Sequence, residues 1–362
     1  MTKAPQPPDA VDLQAIRRVL VIKLRHHGDV LLASPVFQVL KNHAPHVEVD
    51  ALIYLDTSEM LTGHPAISEV HTIDRHWKRQ GFEAQIRGEW RLLKTLQSRR
   101  YDLLIHLTEH HRGAWLSRLI GPRCSVAYDD PRRGRLWRRS FTHRYPYPKS
   151  TPRHTVELNL DALRRIGIQP SLAERRLVLV PGKAAEQAVD DLLIKHGLNE
   201  RRFIHIHPTS RWFFKTWPVE RVAELCDALH ARGERVVLTS APDEREKSMI
   251  AAILDRANFP PVDLSGQLSL KDLAALTRRA RLFIGVDSAP MHIAAAMQTP
   301  VAALFGPSGE IVWGPWMVQH RIIASNHSCR PCGNDGCGGG KISECLTILP
   351  LEQVLAAVRE LS

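Results

Sequence analysis

The chain has 362 residues, 44% hydrophobic and 24% charged, with a formal net charge of +11 from 49 Lys and Arg against 38 Asp and Glu. That length supplies two ordinary cores, no apolar run approaches the ~18 residues of a bilayer span, and six cysteines in so long a chain do not make a secreted disulfide scaffold. The positive balance calls for an anionic partner and leaves nucleic acid, a membrane surface and a phosphorylated substrate all open.

Residues 1–16, beginning MTKAPQPPDA, lack an apolar signal core and read as a flexible polar tail without an export signal. VLVIKL (Val19–Leu24) predicts a strand, and after RHHGD the run VLLASPVFQVLK has helical spacing. With Val47–Leu55 this makes a parallel βαβ unit. It carries one glycine, Gly28, and no G-x-G-x-x-G dinucleotide fingerprint. Asp29 falls at the loop–helix junction, where it is either an N-cap or a carboxylate at a ligand-binding sheet edge. His26 and His27 are proton carriers or solvated loop residues. Tyr101–Leu107 predicts another buried strand and Ala114–Ile120 a short helix. Pro131–Arg144 is the densest basic stretch, with Trp137, Phe141 and Tyr145 interleaved; arginines of this kind grip phosphate or carboxylate, or lie in a solvated loop. The aromatic spacing would also permit stacking on single-stranded nucleic acid, but no nucleic-acid module frames it.

A helix over 151–169 and a linker at Gln169–Ser171 divide the chain, and 176–180 reads as a strand or a connection. Phe203–His207 leads to Thr209, Ser210 and Lys215, two hydroxyls and a cation suited to a phosphate. Val236–Thr239 leads through SAPDERE to a helix from Lys247, with Glu244 placed to accept ribose hydroxyls or to serve a helix dipole. After Asp263–Gly266 and a helix over Leu270–Arg279 comes RLFIGVDSAPMHIAAAMQTPVAALFGPSG, a strand, an Asp287-Ser288 turn, a helix entered through Pro290 and a second strand. Its helix start can hold phosphate or simply be a capped turn. Cys329, Cys332, Cys337 and Cys345 supply four thiols for a structural zinc, at spacings of no standard finger. Leu351–Leu361 is a terminal amphipathic helix.

VLVIKLRHHGDVLLASPVFQVLK, IHPTSRWFFKTWP, VVLTSAPDERE and LFIGVDSAPMHIAAAMQTPVAALFG together resemble the ADP-heptose:lipopolysaccharide heptosyltransferases over about residues 17–320, most of all their heptosyltransferase III branch. The resemblance implies an α/β fold of two Rossmann-like lobes facing a central cleft, the glycosyltransferase B architecture. Residues 17–170 would hold the acceptor, and 171–349, with the Cys-rich segment 329–345, the ADP-sugar; 350–362 would be the closing helix. It implies an inverting transfer from ADP-heptose onto a heptose of the lipopolysaccharide inner core, with no metal or other cofactor required. Asp29 would be the base and Lys215 the counter-charge for the diphosphate. Thr209, Ser210, Glu244, Asp287, Ser288, Ala289 and His292 would contact the donor, and His27, Gly28, Arg132, Arg133 and Arg135 the acceptor. The Cys-rich tail matches no known role in that family.

The mechanism so implied asks Lys215 and the helix starts to stabilise the departing phosphate and an ionised Asp29 to take the acceptor proton. The partners would be the ADP-sugar, the inner-core acceptor and the inner face of the inner membrane, with no nucleic acid, which gives a cytoplasmic, peripheral protein. Two other classes compete: a nucleotide-sugar epimerase of the same architecture, which turns over without acceptor, and a non-enzymatic basic adaptor for anionic membrane, which leaves Asp29, Lys215 and the Asp287 turn unused.

Overall fold

Two six-stranded parallel sheets organise the chain, in a computed structural model that describes residues 7–78, 81–130, 132–146 and 152–361. Residues 1–6 of the expected tail, Pro131 of the basic stretch and Thr151 lie outside the described residues. One unit ends at Val180 and the next begins at Pro181.

The first sheet comprises β1 (Arg18–Ile22), β2 (Glu48–Tyr54), β3 (Val70–Ile73), β4 (Leu103–His106), β5 (Cys124–Asp129) and β6 (His143–Pro146), in the order β3-β2-β1-β4-β5-β6. The second comprises β7 (Phe203–His207), β8 (Arg235–Leu238), β9 (Val262–Asp263), β10 (Leu282–Val286), β11 (Val301–Leu304) and β12 (His320–Ile323), in the order β12-β11-β10-β7-β8-β9. Read from β9, the second sheet repeats the order of the first, 3-2-1-4-5-6, the doubly wound arrangement whose ligand crevice opens where the order reverses. The reversal falls between β1 and β4 in one unit and between β7 and β10 in the other.

Central strands such as β1, β4, β7 and β10 are buried almost throughout because helices cover both sheet faces. Hydrophobic runs did not reveal β3, β6 and β12, which lie at sheet edges where the sequence alternates, nor β5, an interior strand whose CSVAYD mixes polar and apolar residues. The long amphipathic helix Phe82–Arg99 was also missed.

Residues 7–16 are not loose. Asp9 takes both Arg165 Nη atoms at 2.6 and 2.8 Å, Val11 N–H donates to Ile166 O at 3.1 Å, and Asp12 caps a short 3₁₀ turn at Leu13–Ala15. The helix expected over 151–169 is Thr155–Arg165. Residues 176–180 are connection, and with 171–175 they pack on the first unit: Val178 N–H donates to Ser34 Oγ at 2.9 Å and Arg175 pairs with Glu157 at 3.0 Å.

Candidate active site

In the first unit the polypeptide leaves β1 through Lys23, whose ammonium is buried and donates to Leu107 O at 3.1 Å and Asn159 Oδ1 at 3.0 Å. Burial pushes its pKa down, with the carboxylate of Asp29 pulling the other way. The helix His27–Leu31 follows at once, its N-cap is His26, and Asp29 lies in its first turn. Asp29 is therefore not the cap. Its partly buried carboxylate makes no hydrogen bond or ion pair with another described residue and sits where helix N–H groups favour the anion. His27 Nε2 lies 2.8 Å from Asp56 O, and the Gly28 carbonyl accepts from Leu32 N–H.

In the second unit Lys215 ends a 3₁₀ turn, Phe213–Lys215, and its Nζ lies 2.6 Å from Asp287 Oδ2. Asp287 is buried in the turn after β10, so the two residues span the reversal point between β7 and β10. Ser288 is the N-cap of the helix Ala289–Ala296, yet its side chain makes no capping bond; its Oγ is 3.4 Å from Val286 O. With Pro290 in the first turn and no side-chain cap, this helix start presents its positive end to the crevice. His292 is buried one turn further on.

Glu244 opens a helix, Glu244–Leu254, three residues earlier than expected, because Asp243 caps it through Arg245 and Glu246 N–H. The Glu244 side chain is exposed and pairs with Lys247 at 2.6 Å.

Thr209 differs most from its expected role, because its side chain is fully buried. Its hydroxyl donates to Glu246 Oε2 at 2.6 Å, and the same oxygen accepts Ala241 N–H at 3.2 Å. One buried carboxylate thus joins the loops that follow β7 and β8. Behind it runs a chain of buried groups. Thr277 Oγ1 donates to Leu273 O (2.6 Å), so it accepts from His205 Nδ1 (3.0 Å). His205 Nε2 then accepts from Thr239 Oγ1 (2.7 Å), which accepts from His207 Nδ1 (2.8 Å). His207 Nε2 is 3.2 Å from Thr209 Oγ1. Burial keeps both imidazoles neutral, lowering His207 to about 3 and His205 well below its ordinary value. Sequence reading missed Glu246, although it is the third residue after a capping Asp, a position marked in helix-start patterns. Ser210 is also buried, and its Oγ accepts from Trp212 N–H at 3.2 Å, which leaves its proton available.

The basic stretch is more structural than expected. Trp137, Phe141 and Tyr145 are buried, which removes the stacking platform for nucleic acid. Arg132 bonds Asp130 at 3.0 and 3.1 Å, Arg133 approaches Asp130 at 3.5 Å and His111 Nε2 at 2.7 Å, and Arg138 pairs with Asp129 at 3.1 Å. Arg135 and Arg139 are exposed with no partner among the described residues.

The four cysteines do not form a closed ligand set, so the structural zinc is not supported. Cys329 Sγ lies 3.2 Å from His327 Nδ1, Cys337 Sγ accepts Glu344 N–H at 3.4 Å and Cys345 is buried. Among the described residues, the group that brings three potential ligand atoms within 4.8 Å of one another is Asp50, Glu69 and His71. Arg99 and Tyr101 already bind the Asp50 carboxylate there, at 2.9 and 2.7 Å.

The model of glycosyltransferase family 9 (heptosyltransferase) matches residues 89–342. Lipopolysaccharide heptosyltransferase 3 of Escherichia coli is 35% identical over 93% of this chain and 97% of its own length. A solved family 9 glycosyl transferase from Veillonella parvula shares the fold, with a TM-score of 0.83 at 24% identity over 98% of this chain and 99% of that one. E. coli heptosyltransferase WaaC, solved with ADP, gives a TM-score of 0.73 at 19% identity over 95% and 100%. With its two doubly wound sheets and with that identity along nearly its whole length, the chain belongs to glycosyltransferase family 9, the heptosyltransferases.

Proposed function

We propose that the chain transfers a heptose from ADP-heptose to a heptose of the lipopolysaccharide inner core, the second unit holding the donor and the first the acceptor. The observation that carries this reading is the Lys215–Asp287 pair beside an uncapped helix start at the reversal point of the second sheet. A cation and a positive helix end together suit a diphosphate. The relatives named lipopolysaccharide heptosyltransferase, and the related fold solved with ADP, support the choice of donor and acceptor.

The chemistry is one displacement. The acceptor hydroxyl attacks the anomeric carbon of the heptose, its proton passes to the Asp29 carboxylate, and the bond to the β-phosphate breaks with both electrons leaving on ADP. Positive charge gathers on the sugar ring and negative charge on the departing phosphate. Lys215 has two N–H groups left beyond its bond to Asp287, and with the helix start it stabilises that phosphate. Attack on the face opposite the leaving group inverts the anomeric centre. Ser288 and Ala289 meet the pyrophosphate at the helix start, Ser210 offers its hydroxyl proton, and Glu244 faces the ribose. His292 stays behind the helix start, while the buried hydroxyl of Thr209 holds its loop in place through Glu246 and does not touch the donor.

On the acceptor side His27 and Gly28 frame Asp29, and the guanidiniums of Arg132, Arg133 and Arg135 meet anionic groups of the core. The acceptor is lipid-linked, so the working place is an inner-membrane surface, reached as a peripheral protein: among the described residues no helix is long and apolar enough to cross a membrane.

Release of ADP from ADP-heptose, measured with and without a truncated core oligosaccharide, tests the reading. Release that requires the oligosaccharide is the expected result; turnover of the donor alone would favour the epimerase.

A further inference from the structure

The helix Phe82–Arg99 buries Leu92 and Leu96 and leaves Phe82, Ile86 and Trp90 at least half exposed. These three recur at intervals of four, so they form one stripe beside the buried face. The neighbouring helix His111–Ile120 repeats the pattern: Leu116 and Ala114 are buried, while Trp115 and Leu119, again four apart, are more than half exposed. The two helices run side by side. Arg112, near the start of the second helix, pairs with Glu89 in the middle of the first, and Gln97 Nε2 donates to Leu119 O at 2.8 Å near both ends. Trp90 and Trp115 both lie between those tethers, and both are exposed. Two tryptophans and three aliphatic or aromatic neighbours left in water on one surface need an occupant.

The fringe of the patch says which. Arg87, Arg91 and Lys94 are exposed on the first helix, while Arg118 on the second is tied to Ser140 Oγ and Leu136 O; the acids nearby are Glu83 and the already paired Glu89. Lys94 Nζ lies 3.6 Å from the Trp90 ring centroid, a cation–π contact that puts a positive charge at the edge of the apolar stripe. A second copy of this chain docked face to face would set this cationic fringe against itself. An anionic bilayer meets both parts at once, headgroups on the cations and the acyl boundary on the indoles and aliphatic chains.

We propose that the exposed faces of Phe82–Arg99 and His111–Ile120 form a membrane-docking surface for anionic lipid, with Ile86, Trp90, Trp115 and Leu119 as the inserted residues. The proposal rests on the reading that the acceptor is lipid-linked, and it supplies the contact that brings the first unit to that acceptor.

The test compares the wild-type chain with Ile86→Ser/Trp90→Ser/Trp115→Ser for sedimentation with vesicles of phosphatidylglycerol and phosphatidylethanolamine, and of phosphatidylcholine alone. All three positions are exposed, so the variant should keep the circular dichroism and Tm of the wild type. The wild type is expected to bind the anionic vesicles and ignore phosphatidylcholine, and the variant to bind them roughly tenfold more weakly or worse. Transfer to a lipid-free core oligosaccharide should be the same for both proteins. Equal vesicle binding by variant and wild type would overturn the proposal, as would a concentration-dependent dimer that the substitutions abolish. A wild type that transfers heptose to the oligosaccharide and ignores anionic vesicles sinks the docking surface alone. One that binds vesicles and never transfers heptose sinks the proposed function alone.

Discussion

Lys215 Nζ sits 2.6 Å from Asp287 Oδ2, linking the loop after β7 to the turn after β10 across the reversal point of the second sheet. Asp287 is buried, and Lys215 is mostly so, which leaves the ammonium held in place before any ligand arrives. Preorganised charge of this kind is what a departing diphosphate needs.

Lys215→Met is accordingly expected to weaken ADP binding and to lower kcat/KM by about 10²-fold or more, with little change in Tm. Asp287→Asn keeps the shape and loses the charge that anchors Lys215, so its loss should fall mainly on kcat. Calorimetric titration with ADP beside steady-state kinetics separates the two. Unaltered ADP affinity in Lys215→Met would remove this lysine from the donor site.

Asp29→Asn should fold and bind ADP like the wild type while losing ~10²–10⁴-fold in kcat, the usual effect of removing a general base. The carboxylate makes no hydrogen bond or ion pair among the described residues, so only its longer-range attraction for the buried Lys23 ammonium is lost. Retention of more than about a tenth of wild-type kcat would assign the base elsewhere, with His27 the next residue to replace.

Thr209→Val removes the hydroxyl that ties the β7 loop to Glu246 without changing volume much. The KM for ADP-heptose should rise about tenfold, comparable to the effect of one lost hydrogen bond to a charged group, and Thr209→Ser should restore it. A fall in Tm with unchanged donor KM would make the bond purely structural.

Acid should weaken the fold through buried histidines. His106, stacked on Phe141, is lowered to about 4 and His207 to about 3, against an ordinary value of 6.5. In the unfolded chain both take up protons near pH 6.5, while the folded chain refuses them until about pH 4 and 3. Stability is thus fully present above 6.5 and is lost as pH falls through that window. From pH 6.5 to 5 each histidine contributes a loss on the order of 2 kcal/mol. Denaturant titrations at pH 7.5 and 5 check this, and His106→Gln should flatten the slope. An equal slope in that variant would place the titrating group elsewhere.

In the basic stretch the two unpartnered guanidiniums should matter more than the paired ones. Arg135→Gln/Arg139→Gln is expected to raise the acceptor KM, most at low salt, where charges within a Debye length of about 8 Å are less screened. The donor KM should stay put. Arg132→Gln should raise the acceptor KM less than that pair and also cost stability, because it leaves Asp130 without its 3.0 Å partner.

Much of the fold was readable because buried parallel strands are continuous apolar runs: Phe203–His207 and Leu282–Val286 are bounded as their hydrophobicity implies. The edge strands β3, β6 and β12 were not, since one wet face breaks the run, and neither was β5, where Ser125 and Asp129 interrupt it. At the site, sequence marked Lys215, Asp287 and Asp29 by their places after strands. It did not show the bond of Thr209 to Glu246, because a hydroxyl after a strand looks the same whether it faces a phosphate or a buried carboxylate. Glu246 belongs to that pairing and becomes visible only when β7 and β8 are set side by side. The cysteines mislead in the opposite sense: Cys329 and Cys332 do meet, but among the described residues no three of the four sulfurs converge within the reach of one metal ion.

The most direct test of the central claim is the product itself. The protein is incubated with ADP-heptose and a heptose-terminated core oligosaccharide, and the product is read by mass spectrometry and NMR. The account predicts an oligosaccharide larger by one heptose, its new linkage inverted relative to the donor, with one ADP released for each transfer. An oligosaccharide that does not grow while the donor is consumed, or a linkage that keeps the donor configuration, would contradict it.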